Sequence, residues 1–99
     1  MITLELKEKI LRAVRVNVPL AHFKVYLFGS RVNGKATPRS DYDIGLEAEE
    51  EIPLSALAKI EAELEEIPIL QGFDVVDLKT VTPAFRKTTD GERLLLYER

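Results

Sequence analysis

The sequence predicts an α/β domain, on three observations. Runs of aromatic and β-branched residues, FKVYLF and FDVVDLKTV, alternate with stretches whose apolar residues recur at steps of three and four. Proline or glycine marks most junctions between them. The length of 99 residues, without an internal repeat or linker, suits one domain spanning 1–99, near the lower end of sizes that bury a self-sufficient core. The expected element order is α-β-α-β-α-β-α-β.

Thr3 N-caps a first helix to about Asn17, with Leu4, Ile10, Leu11 and Val14 at helical spacing, and Pro19 closes it. Residues 23–28 form a central strand that delivers the chain to a glycine turn at Gly29. A short helix after Ser30 ends near Gly34, and KATPRS is a loop. Residues 41–46 are a second strand, in which the period of two puts Asp41 and Asp43 on one face and Tyr42 and Ile44 on the other. Gly45 either weakens that strand or admits a close approach. Residues 49–52 read as a solvated link. Pro53 then opens a helix to about Glu66, with Leu57, Ile60, Leu64 and Ile67 on one side and mostly glutamate on the other. Pro68 and Gly72 bracket a turn before a third strand at 73–81. Thr82 and Pro83 open a short helix that Gly91 ends, and RLLLY is the last strand.

Composition narrows the function classes. No stretch approaches the ~18 consecutive apolar residues of a membrane helix, and the start MITLELKEKI, with Glu5, is not a secretory signal, so a cytoplasmic location is expected. The absence of cysteine excludes disulfides and thiolate metal sites, and a single histidine argues against zinc, so any metal must be held by oxygen. A net charge of −3 argues against broad nucleic-acid binding. The charge is uneven. Residues 20–40 carry Lys24, Arg31, Lys35 and Arg39 with no acid, whereas residues 47–66 carry eight acids against Lys59 alone. A basic pole beside an acidic flank suits a small anionic ligand.

The chemistry concentrates in GSRVNGKATPRSDYD, residues 29–43. A glycine at a strand end permits a tight turn, and backbone N–H groups at the start of a following helix offer partial positive charge to an anion. Ser30 adds a hydroxyl and Arg31 a formal charge, so Gly29, Ser30 and Arg31 are the candidate phosphate-binding residues, fitted to a nucleoside triphosphate tail. Two carboxylates at i and i+2 on one strand stand ~7 Å apart and project together, so Asp41 and Asp43 can converge on magnesium ions. A pair of ions ~3.5 to 4 Å apart stabilises both oxygens of an in-line displacement, and such sites want a third carboxylate as ligand and base. Asp74 and Asp77 differ by three and face opposite sides, so only one can join; Asp74, flanked by Phe73 and Val75 in a largely apolar strand, is selected over Asp77, which sits nearer the exit at Leu78 and Lys79. A Gly-Ser turn alone is usually only a turn, and an Asp-x-Asp pair alone usually a solvated one. Their combination at this spacing should arise by chance on the order of 10⁻³ per chain of this size.

At these residues the chain resembles the minimal nucleotidyltransferase (MNT) family, the smallest members of the polymerase-β-like superfamily. The resemblance rests on GSRVNGKATPRSDYDIGL at residues 29–46 and DVVD at 74–77, with the element order agreeing over nearly the full length. It implies a mixed sheet with flanking helices and transfer of a nucleoside monophosphate from ATP or another NTP to a hydroxyl; AMP from ATP, with the two Mg²⁺ ions the carboxylates suit, is the expected case. The family's metal pair falls on Asp41 and Asp43 and its third carboxylate on Asp74. Many members look like antitoxins of an all-helical HEPN partner, acting by binding or by adenylylating a tyrosine; others look like the catalytic half of a two-protein enzyme acting on a small molecule. Gly45 departs from the family, where a bulky aliphatic residue is more usual, and this bears on strand packing. A non-catalytic antitoxin and a regulatory nucleotide sensor are the rival readings.

Other residues have plainer readings. His22 is a strand-edge residue without a companion ligand, Tyr26 and Tyr42 are sheet residues with the phenol at an edge, and Lys35 and Arg39 are solvated loop bases. Arg86 and Lys87 are weighed as an edge of the nucleotide site, and the glutamate face of the second long helix as solvent-exposed or a docking surface for a basic partner.

Overall fold

The computed structural model describes residues 2–28, 41–81 and 93–99. Two helices lie over one face of a mixed sheet: α1 (Leu4–Asn17), β1 (Lys24–Phe28), β2 (Tyr42–Glu47), α2 (Leu54–Glu65), β3 (Phe73–Asp77) and β4 (Arg93–Glu98). The short helices expected after Ser30 and at 83–91 lie outside the described residues. The sheet order is β3-β2-β1-β4, with β1 antiparallel to β2 and β4, and β2 parallel to β3. The α/β class and the mixed sheet expected from the sequence are both present.

Thr3 caps α1 as expected, its hydroxyl accepting from the Leu6 amide at 3.1 Å. Ile10, Leu11 and Val14 of α1 and Ala56, Ile60 and Leu64 of α2 pack against Val25, Leu27, Tyr42, Ile44, Leu46, Val75 and Leu96, and together form the main core. Because strand side chains alternate, burying Tyr42, Ile44 and Leu46 under the helices commits Asp43 and Gly45 to the opposite face. That face carries a smaller cluster of Tyr26, Phe28 and Leu78, with Val76 and Val81 against it. Tyr26 and Tyr42 are therefore buried on the two central strands, where an edge position was expected.

Two expectations are corrected. The link at 49–52 is not solvated throughout: Ile52 is buried in the core, and its amide donates to Asp77 Oδ2 at 2.8 Å. The third strand stops at Asp77 rather than Val81, since residues 78–80 form a turn. Asp77 makes that turn, its Oδ1 accepting from the Lys79 amide at 3.0 Å and its carbonyl from the Thr80 amide at 3.1 Å. An Asp that bonds the backbone two residues on is a turn former, and this local bond outcompetes continued pairing.

Gly45 is explained by close approach. A Cβ there would stand 2.8 Å from Phe28 Cε1 and 3.1 Å from Leu78 Cδ1, so the Phe28 ring fills the space a larger residue would take. Gly45→Ala is expected to cost about 1–3 kcal/mol as overpacking. Phe28→Leu in the same chain should recover part of it, giving a coupling of at least ~0.5 kcal/mol in a denaturant double-mutant cycle. Strictly additive costs would show that the ring is not what excludes the side chain.

Candidate active site

The face of the sheet away from the helices brings the sequence-selected acids together. Asp43 of β2 is in register with Asp74 of β3 in the parallel ladder and with Phe28 of β1 in the antiparallel one. Paired positions on neighbouring strands stand ~4.8 Å apart and project the same way. Asp41, two residues before Asp43, shares that face. Asp77 does not: it is 3% exposed, on the helix side, with its carboxylate bound to the Ile52 and Lys79 amides. The parity argument that only one of Asp74 and Asp77 can join the Asp43 face agrees with the register. Asp74 is exposed, although an apolar strand setting was expected for it.

The three carboxylates interact. Burial raises the Asp43 carboxyl above its ordinary value of 3.8; the charges of Asp74 and then Asp41 raise it further, as does a side-chain hydrogen bond with Asp74. A carboxyl crowded by like charges is a group whose charged form wants a cation. Each donor is a carboxylate oxygen, the chemistry that hard divalent ions such as Mg²⁺ take, so the residues present fit that metal. They are not assembled as a ready shell: among the described residues no three His, Cys, Asp or Glu side chains are grouped closely enough to hold an ion. Asp41 is held by Gly72, whose amide donates to Asp41 Oδ1 at 3.0 Å.

The pKa direction gives a stability prediction with a definite sign. A carboxyl that binds its proton more tightly when folded contributes stability that is present below its unfolded pKa and lost as pH rises through the folded one. In metal-free buffer, stability should therefore fall from about pH 4 upward relative to Asp43→Asn, and the variant should melt higher at pH 7. Asp43 is only part-buried, so solvent screening holds the gain to roughly 0.5 kcal/mol, or about 2–4 °C. Calorimetric melting of both proteins between pH 4 and 7 checks this; parallel curves would remove the repulsion.

Phe28 is the last described residue before Gly29, and its partner in the ladder is Asp43. Gly29, Ser30 and Arg31 lie outside the described residues, as do Lys35, Arg39, Arg86 and Lys87. Sequence reasoning missed Arg93, which lies 4.2 Å over the Tyr26 ring and 3.4 Å from Glu47 Oε2, stitching β4 to β2 across β1. No local pattern announces a contact spanning 46 residues. Gly72 was read only as a turn residue. A cleft of about 520 Å³ opens elsewhere, at the Lys24 end of the strands, lined by half-buried Lys24 and Glu47 and exposed His22, Glu98 and Arg99. It includes none of the three acids and is not where the carboxylate chemistry lies.

Residues 5–99 match the family described as Polymerase beta, Nucleotidyltransferase. The chain belongs to that family. No curated protein matches the sequence. Solved structures do. A toxin–antitoxin crystal structure with AMP-PNP contains a chain 25% identical, with a TM-score of 0.77 over 92% of this nucleotidyltransferase and 72% of that chain. A structure of a tri-AMPylated HEPN toxin with its MNT antitoxin, from Shewanella oneidensis, contains one 22% identical, with a TM-score of 0.72 over 94% of this chain and 70% of that one. The MntA-HepT toxin–antitoxin contains another at 22% identity and a TM-score of 0.72, over 96% and 72%. The two at 22% identity establish the fold alone. Among the described residues no helix is long and apolar enough to cross a membrane.

Proposed function

We propose that this nucleotidyltransferase moves AMP from ATP, with Mg²⁺, onto a hydroxyl of an all-helical HEPN-type partner, as the antitoxin of a toxin–antitoxin pair in the cytoplasm. The observation that carries the chemistry is the register of Asp43 with Asp74, with Asp41 on the same face. Asp41, Asp43 and Asp74 would hold the metal. When bound, it would neutralise charge on the triphosphate and lower the barrier to displacement at the α-phosphorus. Asp74, exposed on the outer strand, would accept the proton of the attacking hydroxyl. Gly29, Ser30 and Arg31 are assigned to the triphosphate tail, one residue beyond the strand position that pairs with Asp43.

The partner assignment is supported by the toxin–antitoxin complexes among the solved structures, one with AMP-PNP and one with an AMPylated HEPN toxin. Incubation with α-³²P-ATP, Mg²⁺ and the HEPN-type protein of its own genome should label that protein, and Asp41→Asn/Asp43→Asn should abolish the label. Label that persists in the double variant would overturn the site. Protection from the toxin that survives the double substitution, without label, would favour neutralisation by binding alone. Label on a small hydroxyl compound instead would favour the catalytic half of a two-component enzyme.

A further inference from the structure

We infer that Gly72 is a positioning residue for the metal-binding carboxylate of Asp41, an inference that rests on the metal-site reading above. Tyr42 pairs with Phe73 in the parallel ladder, so Asp41 and Gly72 face each other one step earlier. Two backbone contacts lock that step: the Tyr42 amide donates to the Gly72 carbonyl at 3.0 Å, and the Gly72 amide donates to Asp41 Oδ1 at 3.0 Å. The Tyr42 and Phe73 rings, stacked with centroids 5.4 Å apart, brace the same pair from the helix side.

The absence of a side chain at Gly72 spares the near oxygen of the acid a tight contact. A Cβ there would stand 3.3 Å from Asp41 Oδ1, 3.6 Å from Cγ and 3.9 Å from Oδ2, so the whole carboxylate lies over the glycine. The backbone itself does not call for glycine, since Gly72 lacks the left-handed φ that would. Space and the amide remain as the reasons. A hydrogen bond to one oxygen of a ligating carboxylate fixes its orientation and leaves lone pairs for the ion, and the loss of such outer contacts typically weakens metal binding ~10- to 100-fold. Gly72 thus acts through Asp41 and touches neither substrate nor metal.

The test is a Mn²⁺ titration of the full chain in the presence of AMP-PNP, with free Mn²⁺ read by electron paramagnetic resonance, beside thermal melts of each protein. Gly72→Ala should weaken Mn²⁺ binding by about 3- to 10-fold and Gly72→Val by about 10- to 100-fold. The melting temperature of Gly72→Ala should move little, which a merely structural glycine would not predict. If Gly72→Val fails to fold, Gly72→Ala decides. Mn²⁺ affinity within twofold of wild type in folded Gly72→Ala, with Asp41→Asn clearly weakened, would overturn this inference alone. Wild-type Mn²⁺ affinity in Asp41→Asn would overturn the metal-site reading, and the positioning role with it.

Discussion

Asp43→Asn is expected to lower nucleotidyl transfer by ~10³-fold or more, about 4 kcal/mol of transition-state stabilisation, while leaving the protein folded and slightly more stable. The opposite signs come from one cause. Asp43 stands between Asp74, its partner in the ladder, and Asp41, two residues earlier in the chain and just before the strand, and both charges disfavour its ionised form. Asparagine keeps the shape and removes the charge, so the fold loses a repulsion while the site loses its central anion. Asp74→Asn, at the rim, should cost transfer severely but less. Single-turnover rates with α-³²P-ATP, measured beside melting curves, check both. A variant that lost transfer and melted lower would point to damage to the fold rather than to the chemistry.

Asp77→Ala should act the other way, on stability first. Its buried carboxylate accepts from the Ile52 amide at 2.8 Å and the Lys79 amide at 3.0 Å, tying the start of the α2 segment to the end of β3. Alanine would leave two amides without a partner beside a cavity, at a cost of about 2–4 kcal/mol and a fall in melting temperature of roughly 10–20 °C. Asp77→Asn keeps one acceptor oxygen and should lose about half as much. Transfer measured well below the melting temperature should persist in both variants. Loss of transfer by folded Asp77→Asn would make this acid part of the chemistry and contradict its place on the helix side.

Much of the carboxylate face was legible beforehand, because the rule that places it is local. A strand has a period of two, so Asp41 and Asp43 had to share a side once Tyr42 and Ile44 were read as apolar, and the spacing of Asp74 and Asp77 allowed only one of them to join. The cap at Thr3 and the apolar face of α2 were legible for the same reason, since capping and helical spacing act within a turn or two.

What the sequence determined by itself was therefore the kind of each long helix and strand, the side taken by Asp41, Asp43 and the Asp74 and Asp77 alternatives, and the family. The tertiary structure alone decided which distant residues meet. Ile52 looked like a solvated link until the Asp77 carboxylate took its amide. Gly45 looked like a weakness until the Phe28 ring filled its place, and Gly72 like a turn until the Asp41 carboxylate lay over it. In β4 a register shift opposite Val25 and Tyr26 sets Tyr97 across from Val25, on the core face beside Leu94 and Leu96, and no periodicity encodes it. Parity and capping are properties of neighbours along the chain, whereas register and close approach exist only once strands far apart in sequence have paired.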